Sequence, residues 1–392
     1  DMEEREEEEE EAPCSQPMIP NDLTPENAAP EPLWLMATTP PDCFYVPQIG
    51  DRVVYLRQGH QNLLEKFPDR CSAPWERYES ESGRQMRAVE ECLITDISYQ
   101  LRVEPYTELA FILVTLSMLD TSGVEGCAPF SFTVNHVFGE QDCIVLYPKY
   151  LASMRYLPRS GDEFKMKFPD EKPNVAAEEE DIEPDKDTWV GVIDARTAEN
   201  PAFPNSPWLC LEVTWKPRAN IISDESECKR VSPWEIELKG PMPDTEDAIP
   251  PKLAQELAYK FNNIAKKPRC RLFAKPVDFS EFWGYCSLVP CPVDVNSICR
   301  RLQSGYYRRL AAVEMDCRLI ATNAYKFNES GNPIVKDARA LSDHLIAIID
   351  QVCGPNSHPR PHVQVPSDNP YIYSLPLLPP SGPIIDDHPP LP

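Results

Sequence analysis

The spacing of apolar residues changes character partway along the chain. Up to about residue 240 they come in short runs, rich in β-branched and aromatic side chains and cut by turn residues. Val53–Leu56 is one such run, and 91–103 (ECLITDISYQLRV), 109–120 (LAFILVTLSMLD) and 130–137 (FSFTVNHV) are three more. Asp120-Thr121-Ser122-Gly123 is a turn between two of them. Short strands separated by such turns predict a small antiparallel sheet or barrel. Residues 61–90 are polar and read as loop with some helix.

The same signals then return. Gly161-Asp162 precedes EFKMKF as Gly50-Asp51 precedes RVVYL, and TWVGVIDAR, WLCLEVTW and KRVSPWEIEL follow. This is a weak internal repeat, and it predicts two β domains, 43–155 and 156–240, with Gly and polar turns at the corners.

From Asp247 the period becomes helical. Pro250-Pro251 suit a first helical turn, and Leu253, Leu257, Phe261 and Ile264 form one stripe up to the break at Pro268. A loop over 270–291 leads to a short helix after Pro292. A long helix over 308–327 keeps Leu310, Val313, Cys317, Ile320, Ala324 and Phe327 on one face, and a last one over 334–352 turns Ala338, Leu341, Leu345 and Ile348 inward. Four helices joined this way predict a bundle over 247–353.

Composition sets the limits. The 392 residues carry a net charge of −25. Residues 1–11 hold nine acids and one base, and a second acidic cluster covers 178–187. Such runs are solvated, so 1–42 reads as a disordered acidic leader and 354–392, rich in Pro, as a disordered tail. The first residue is Asp1, which suggests a piece of a longer protein. Generic DNA binding needs a basic surface, which the chain as a whole lacks; Arg300, Arg301, Arg308 and Arg309 offer a local basic patch. The fourteen cysteines include no CxxC pair, so no metal or other cofactor is expected. No run of eighteen apolar residues points to a membrane.

Asn328 closes the long helix, since Ser330, Gly331, Asn332 and Pro333 are breakers. Its amide and the phenol of Tyr285 at the rim of an apolar pocket suit a neutral carbonyl ligand. Across residues 273–334 the chain resembles a bromodomain, the reader of acetyl-lysine. The resemblance implies an acetyl-lysine site with Phe273 and Val277 as shelf, Phe282 and Tyr285 in the loop, Asn328 as the asparagine that bonds the acetyl group, and Ile334 as gatekeeper. Arg271 stands where the family carries a shelf tryptophan. Asn323 is expected to order the loop by bonding its backbone.

VPQIGDRVVYLRQGH, SPWEIEL and YYRRLAAVEMDCRLIATNAYKFNE, in this order, resemble the bromodomain and WD-repeat family over about 43–353. That implies an α+β multidomain fold, with small Tudor-like β-barrels before a four-helix bromodomain bundle. It also implies a nuclear chromatin reader with acetylated and methylated histone tails, and nucleosomes, as partners. The methylated target would be the histone H3 tail at its fourth residue. Some members of the family serve a cullin-4 ubiquitin ligase as substrate receptors and carry a WD-repeat propeller, of which no repeat is visible here. Methyl-lysine keeps its charge and favours aromatic walls. Trp189 and Trp215, with Phe164 and Phe168, are the cage candidates, Glu212 or Asp194 could help hold the cation, and Trp234 beside Pro233 reads as structural.

No P-loop, GxGxxG, HExxH or GxSxG is present and no nucleophile is paired with a base, so an enzyme is not expected. The rival reading is an interaction scaffold whose reader pockets no longer bind.

Overall fold

The computed structural model describes residues 23–26, 28–41, 44–66, 72–103, 108–119, 129–138, 143–168, 188–216, 229–237, 248–329 and 331–354. The acidic runs at 1–11 and 178–187, and the Pro-rich stretch from 355 on, lie outside them.

A short helix, α1 (Leu33–Met36), comes first. The first sheet then forms from β1 (Arg52–Leu56), β2 (Val89–Val103), β3 (Glu108–Met118), β4 (Ser131–His136) and β5 (Ile144–Leu146), antiparallel in the order β4-β3-β2-β1-β5. Helices α2 (Arg57–Lys66), α3 (Pro74–Ser82) and α4 (Tyr147–Arg155) flank it. A second sheet has the order β6-β7-β8-β9, from β6 (Glu163–Lys167), β7 (Thr188–Arg196), β8 (Leu211–Trp215) and β9 (Arg230–Val231). The helical part follows as α5 (Pro251–Ala265), a 3-10 helix (Pro268–Phe273), α6 (Val295–Ser304), α7 (Leu310–Phe327) and α8 (Pro333–Cys353).

Neither sheet closes, so the expected barrels are not formed. In the first, the edge strand β5 has three residues, too few to ladder across to β4, and just past β4 Trp34 instead stacks on Phe138 while Phe44 meets it edge-on. In the second, the chain returns to β6 through one isolated bridge, Met166 to Ile236.

The internal repeat is visible in the hydrogen bonds. Gly50 N–H donates to Ile94 O, and Ile94 N–H to Asp51 O; Gly161 and Asp162 make the same two bonds with Ile193. Both glycines have positive φ, 84° and 86°, a region that favours glycine. Each partner strand has a register shift beside that contact, at Ile94/Asp96 and at Ile193/Ala195. Each Asp also accepts from the backbone N–H three residues before it, Gln48 and Arg159 respectively.

Strand β1 is buried on both faces. Val53 and Tyr55 join the large core, while Val54 and Leu56 pack with Trp208, Leu209 and Trp234 from the second β unit. Trp234 is therefore structural, as expected. Gly59 in α2 is needed because a Cβ there would lie 2.7 Å from the Trp208 indole nitrogen.

The leader reading fails for residues 28–41. Trp34 and Leu35 are buried in the same core as α5 to α8. The reason is Arg301, which is 3% exposed. Its guanidinium bonds Asp316 at 2.6 Å and donates to the carbonyls of Ala37, at 2.9 Å, and Leu35. Tyr307 completes the Asp316 carboxylate at 2.5 Å. Further along, Gln48 bridges Tyr306 O and Arg308 N, and Arg308 pairs with buried Asp51 at 2.8 Å. Arg309 packs on Gly50. The basic patch expected at Arg300, Arg301, Arg308 and Arg309 is thus mostly internal; only Arg300 of the four is exposed.

Two stability predictions follow from this packing. Leu35→Ala should cost about 2–5 kcal/mol, and Asp316→Ala about 3–5 kcal/mol because it leaves a buried guanidinium unpaired; urea unfolding followed by circular dichroism measures both. The second concerns His60, which is buried, bonded through Nδ1 to Tyr55 at 2.9 Å, and pushed down from 6.5 to about 4 by burial. The unfolded chain takes up that proton first, so the stability from neutral His60 is full above pH 6.5 and lost as pH falls to about 4. The urea midpoint should drop between those values, and drop less in His60→Gln.

Candidate functional site

The pocket loop is a series of short turns. Asp278 accepts from the Ser280 N–H at 2.9 Å and hydroxyl at 2.6 Å, an Asx-type start. Phe282 N–H then bonds Asp278 O, Tyr285 N–H bonds Phe282 O, and Val289 N–H bonds Tyr285 O. Steps of three and four bring Phe279, Phe282, Tyr285 and Val289 to one side. They meet Phe327 from the last turn of α7, with Val277 and Leu288, in an apolar cluster separate from the main core. The Tyr285 ring lies 4.8 Å and the Phe282 ring 5.9 Å from the Phe327 ring. The far end of the loop is tied to α7 by buried Asn323, whose amide donates to Cys291 O at 2.8 Å, the role expected of it.

Asn328 caps α7 in an extended conformation, half-buried. Its backbone N–H and its side-chain Nδ2 both donate to Ala324 O, at 3.0 and 2.8 Å. An amide nitrogen carries two protons, so one bond fixes the plane of the side chain and the second proton remains for a ligand. Ile334 is half-buried in the first turn of α8, its N–H held by Asn332 Oδ1 at 2.9 Å. Burial raises the Tyr285 phenol well above its ordinary pKa, so it is a neutral donor. Val277, Phe282 and Tyr285 come together in the cluster that Phe327 joins to Asn328. Phe273 packs against the large core instead. Sequence reasoning missed Phe279, and it counted Phe327 only as helix core; the three-residue steps of the loop and the Phe-Asn pair were the available signals.

A second cluster lies on one face of the second sheet. Gly191 on β7 is opposite Phe164 on β6 and Trp215 on β8, and Trp189 is opposite Met166. Directly opposed residues share a face. A Cβ at Gly191 would lie 2.6 Å from the Phe164 ring, so the glycine opens the slot in which Phe164 meets Trp215, 5.1 Å between centroids. Trp189 and Trp215 stand at 78°, 6.1 Å apart, and Phe168 touches both. Phe164 is buried, Trp189 and Trp215 are half-buried, and Phe168 is 37% exposed. All four aromatic candidates are therefore together. The two acids are not with them. Asp194 accepts from Thr214, and Glu212 pairs with Arg230; strand alternation puts Glu212 and Thr214 on the face opposite Trp215. Among the described residues, no group of three or more His, Cys, Asp or Glu could hold a metal ion, and no helix is long and apolar enough to cross a membrane.

Both parts of the chain match known family models. Residues 256–340 match the bromodomain family model. A bromodomain and WD repeat-containing protein of Dictyostelium discoideum is 31% identical over 80 residues, 20% of this chain and 4% of that protein. Human bromodomain and PHD finger-containing protein 3 is 34% identical over 80 residues, 20% of this chain and 7% of that protein. Rice auxin response factor 2 is 32% identical over 114 residues, 28% of this chain and 13% of that protein. The chain thus spans a small fraction of the length of these relatives. Residues 43–245, more than half of the chain, match the BRWD/PHIP ancillary domain-like domain, and with the bromodomain beside it the chain belongs to the bromodomain and WD-repeat family.

Proposed function

We propose that this chain is a chromatin reader that binds acetyl-lysine of histone tails at the end of α7. The observation that carries the reading is Asn328, held by Ala324 O beside an apolar box containing a buried neutral phenol. Acetylation removes the lysine charge, so the side chain enters the box without burying an ammonium. Its carbonyl accepts the second Asn328 Nδ2 proton. Tyr285 reaches it through a water, a contact that costs little. Val277 and Phe282 wall the methylene stem, and Ile334 stands at the entrance. The residues named as lining the pocket include no acid to pair with an unmodified ammonium, and that selects the modified form. Nucleosomes are the natural partners of such a reader, and the nucleus its place.

A second reading is favoured by the aromatic cluster. Trp189 and Trp215 form a near-perpendicular corner with Phe168 at its open side, an arrangement that suits a methylated ammonium. Each wall contributes roughly 0.5–2 kcal/mol by cation–π attraction. In this reading the two β units act as Tudor-like modules for the methylated H3 tail, and the cation is held by rings rather than by Asp194 or Glu212. Any role in a ubiquitin ligase would run through a propeller outside these residues.

Asn328→Ala should weaken binding of acetylated H3 and H4 peptides by about ten- to a hundred-fold, or 1–3 kcal/mol. Asn328→Asp should also fail, since a carboxylate offers no donor, and Tyr285→Phe should be milder. Calorimetric titration of folded variants decides this. Equal binding by Asn328→Ala sinks the pocket, and no binding of any acetylated peptide by the wild type favours a scaffold.

Trp189→Ala and Trp215→Ala should each weaken binding of methylated H3 peptides in the same titration. If variants that keep the wild-type circular dichroism spectrum bind unchanged, the cage is misplaced.

A further inference from the structure

Five cations stand within ten residues at the end of α5 and along the 3-10 helix: Lys266, Lys267, Arg269, Arg271 and Lys275. All five side chains are exposed. The ion pairs among the described residues use other cations, including Lys260 with Glu256 one turn earlier on α5. Lys266 and Lys267 favour the C-terminal dipole of α5. Arg269, Arg271 and Lys275 lie beyond the helix, so a capping role does not account for them. Asp337 on α8 is an acid whose charge reaches this run, at Cys270.

The run continues onto α5. Tyr259 is 69% exposed and lies seven residues, two turns, before Lys266, with exposed Asn263 between them. Leu272, also 69% exposed, sits inside the cationic run. The strip therefore combines cations, an amide and a flat ring. Its 3-10 helix ends four residues before Val277 and packs against α8, which carries Ile334 in its first turn.

We propose that this strip binds the phosphate backbone of duplex DNA next to the acetyl-lysine pocket. The arginines offer forked donors to phosphate oxygens and the lysines offer point charges. Tyr259 and Asn263 can lie along the sugars. The chain's net charge of −25 does not forbid this, because at physiological salt a charge is screened beyond about 8 Å. The DNA assignment rests on charge and exposure; only its place beside a histone tail rests on the acetyl-lysine reading.

The test is fluorescence anisotropy of a labelled duplex of about 20 base pairs, titrated with the full chain from about 50 to 200 mM NaCl. The wild type should bind, and more weakly as salt rises. Lys266→Gln/Lys267→Gln/Arg269→Gln should bind at least about tenfold more weakly, with a log–log salt slope shallower by about 2–3, near 0.9 per lost phosphate contact. The same variant should keep its affinity for acetylated histone peptide. Absence of wild-type binding at the lowest salt, or equal binding by the triple variant, overturns the proposal. So does tighter binding of polyglutamate than of DNA at equal charge, which assigns the strip to an acidic protein. The duplex contains no histone, so a failed acetyl-lysine pocket leaves this result intact.

Discussion

A guanidinium in the protein interior needs an anion and carbonyl oxygens, and Arg301 obtains them from two distant parts of the chain. Asp316 supplies the charge from α7, while Leu35 and Ala37 supply carbonyls from the segment before the first sheet. Burying such a pair offers little net stability, but breaking it leaves a charge with no water. The pair therefore specifies one position for the segment over 33–37, and Arg308 with Asp51 fixes the next stretch in the same way. The first sheet and the helices consequently share a core.

The two candidate sites are built on different principles. The candidate acetyl-lysine pocket uses a loop of successive turns, held at one end by Asn323 and lined against Phe327. The aromatic corner uses sheet register, in which a missing side chain at Gly191 lets Phe164 and Trp215 meet. One is set by backbone turns and the other by cross-strand neighbours, so damage to one need not disturb the other.

Much of this was legible in the sequence. The helical period located α5, α7 and α8 to within about two residues, since long amphipathic stripes carry strong signals. The Gly-Asp repeat marked two related β units, and the hydrogen bonds at Ile94 and Ile193 give its physical meaning. Sheet closure was not legible, because it depends on whether short edge strands meet. Leu33–Met36 was hidden among acids and prolines, where four apolar residues carry no period. The arginines near 300–309 read as surface charge, since their partners Asp51, Leu35 and Ala37 lie more than two hundred residues away. The acids Asp194 and Glu212 were misplaced for a simpler reason: a strand's two faces exchange at every residue, and the register shift at Ile193/Ala195 interrupts the count.

The contact between Ala29 N–H and the Ser287 hydroxyl, 2.7 Å long and two residues from Tyr285, bears on how the helical part is cut out for study. A fragment begun at α5 would retain every residue named for the candidate acetyl-lysine pocket. It would lack the segment that covers Arg301, Tyr307 and one side of the pocket loop. Ligand discovery carried out on such a fragment would select molecules for a loop with a loosened support and a freshly solvated flank. The smallest faithful unit for that purpose begins before Ala29 and includes the first sheet.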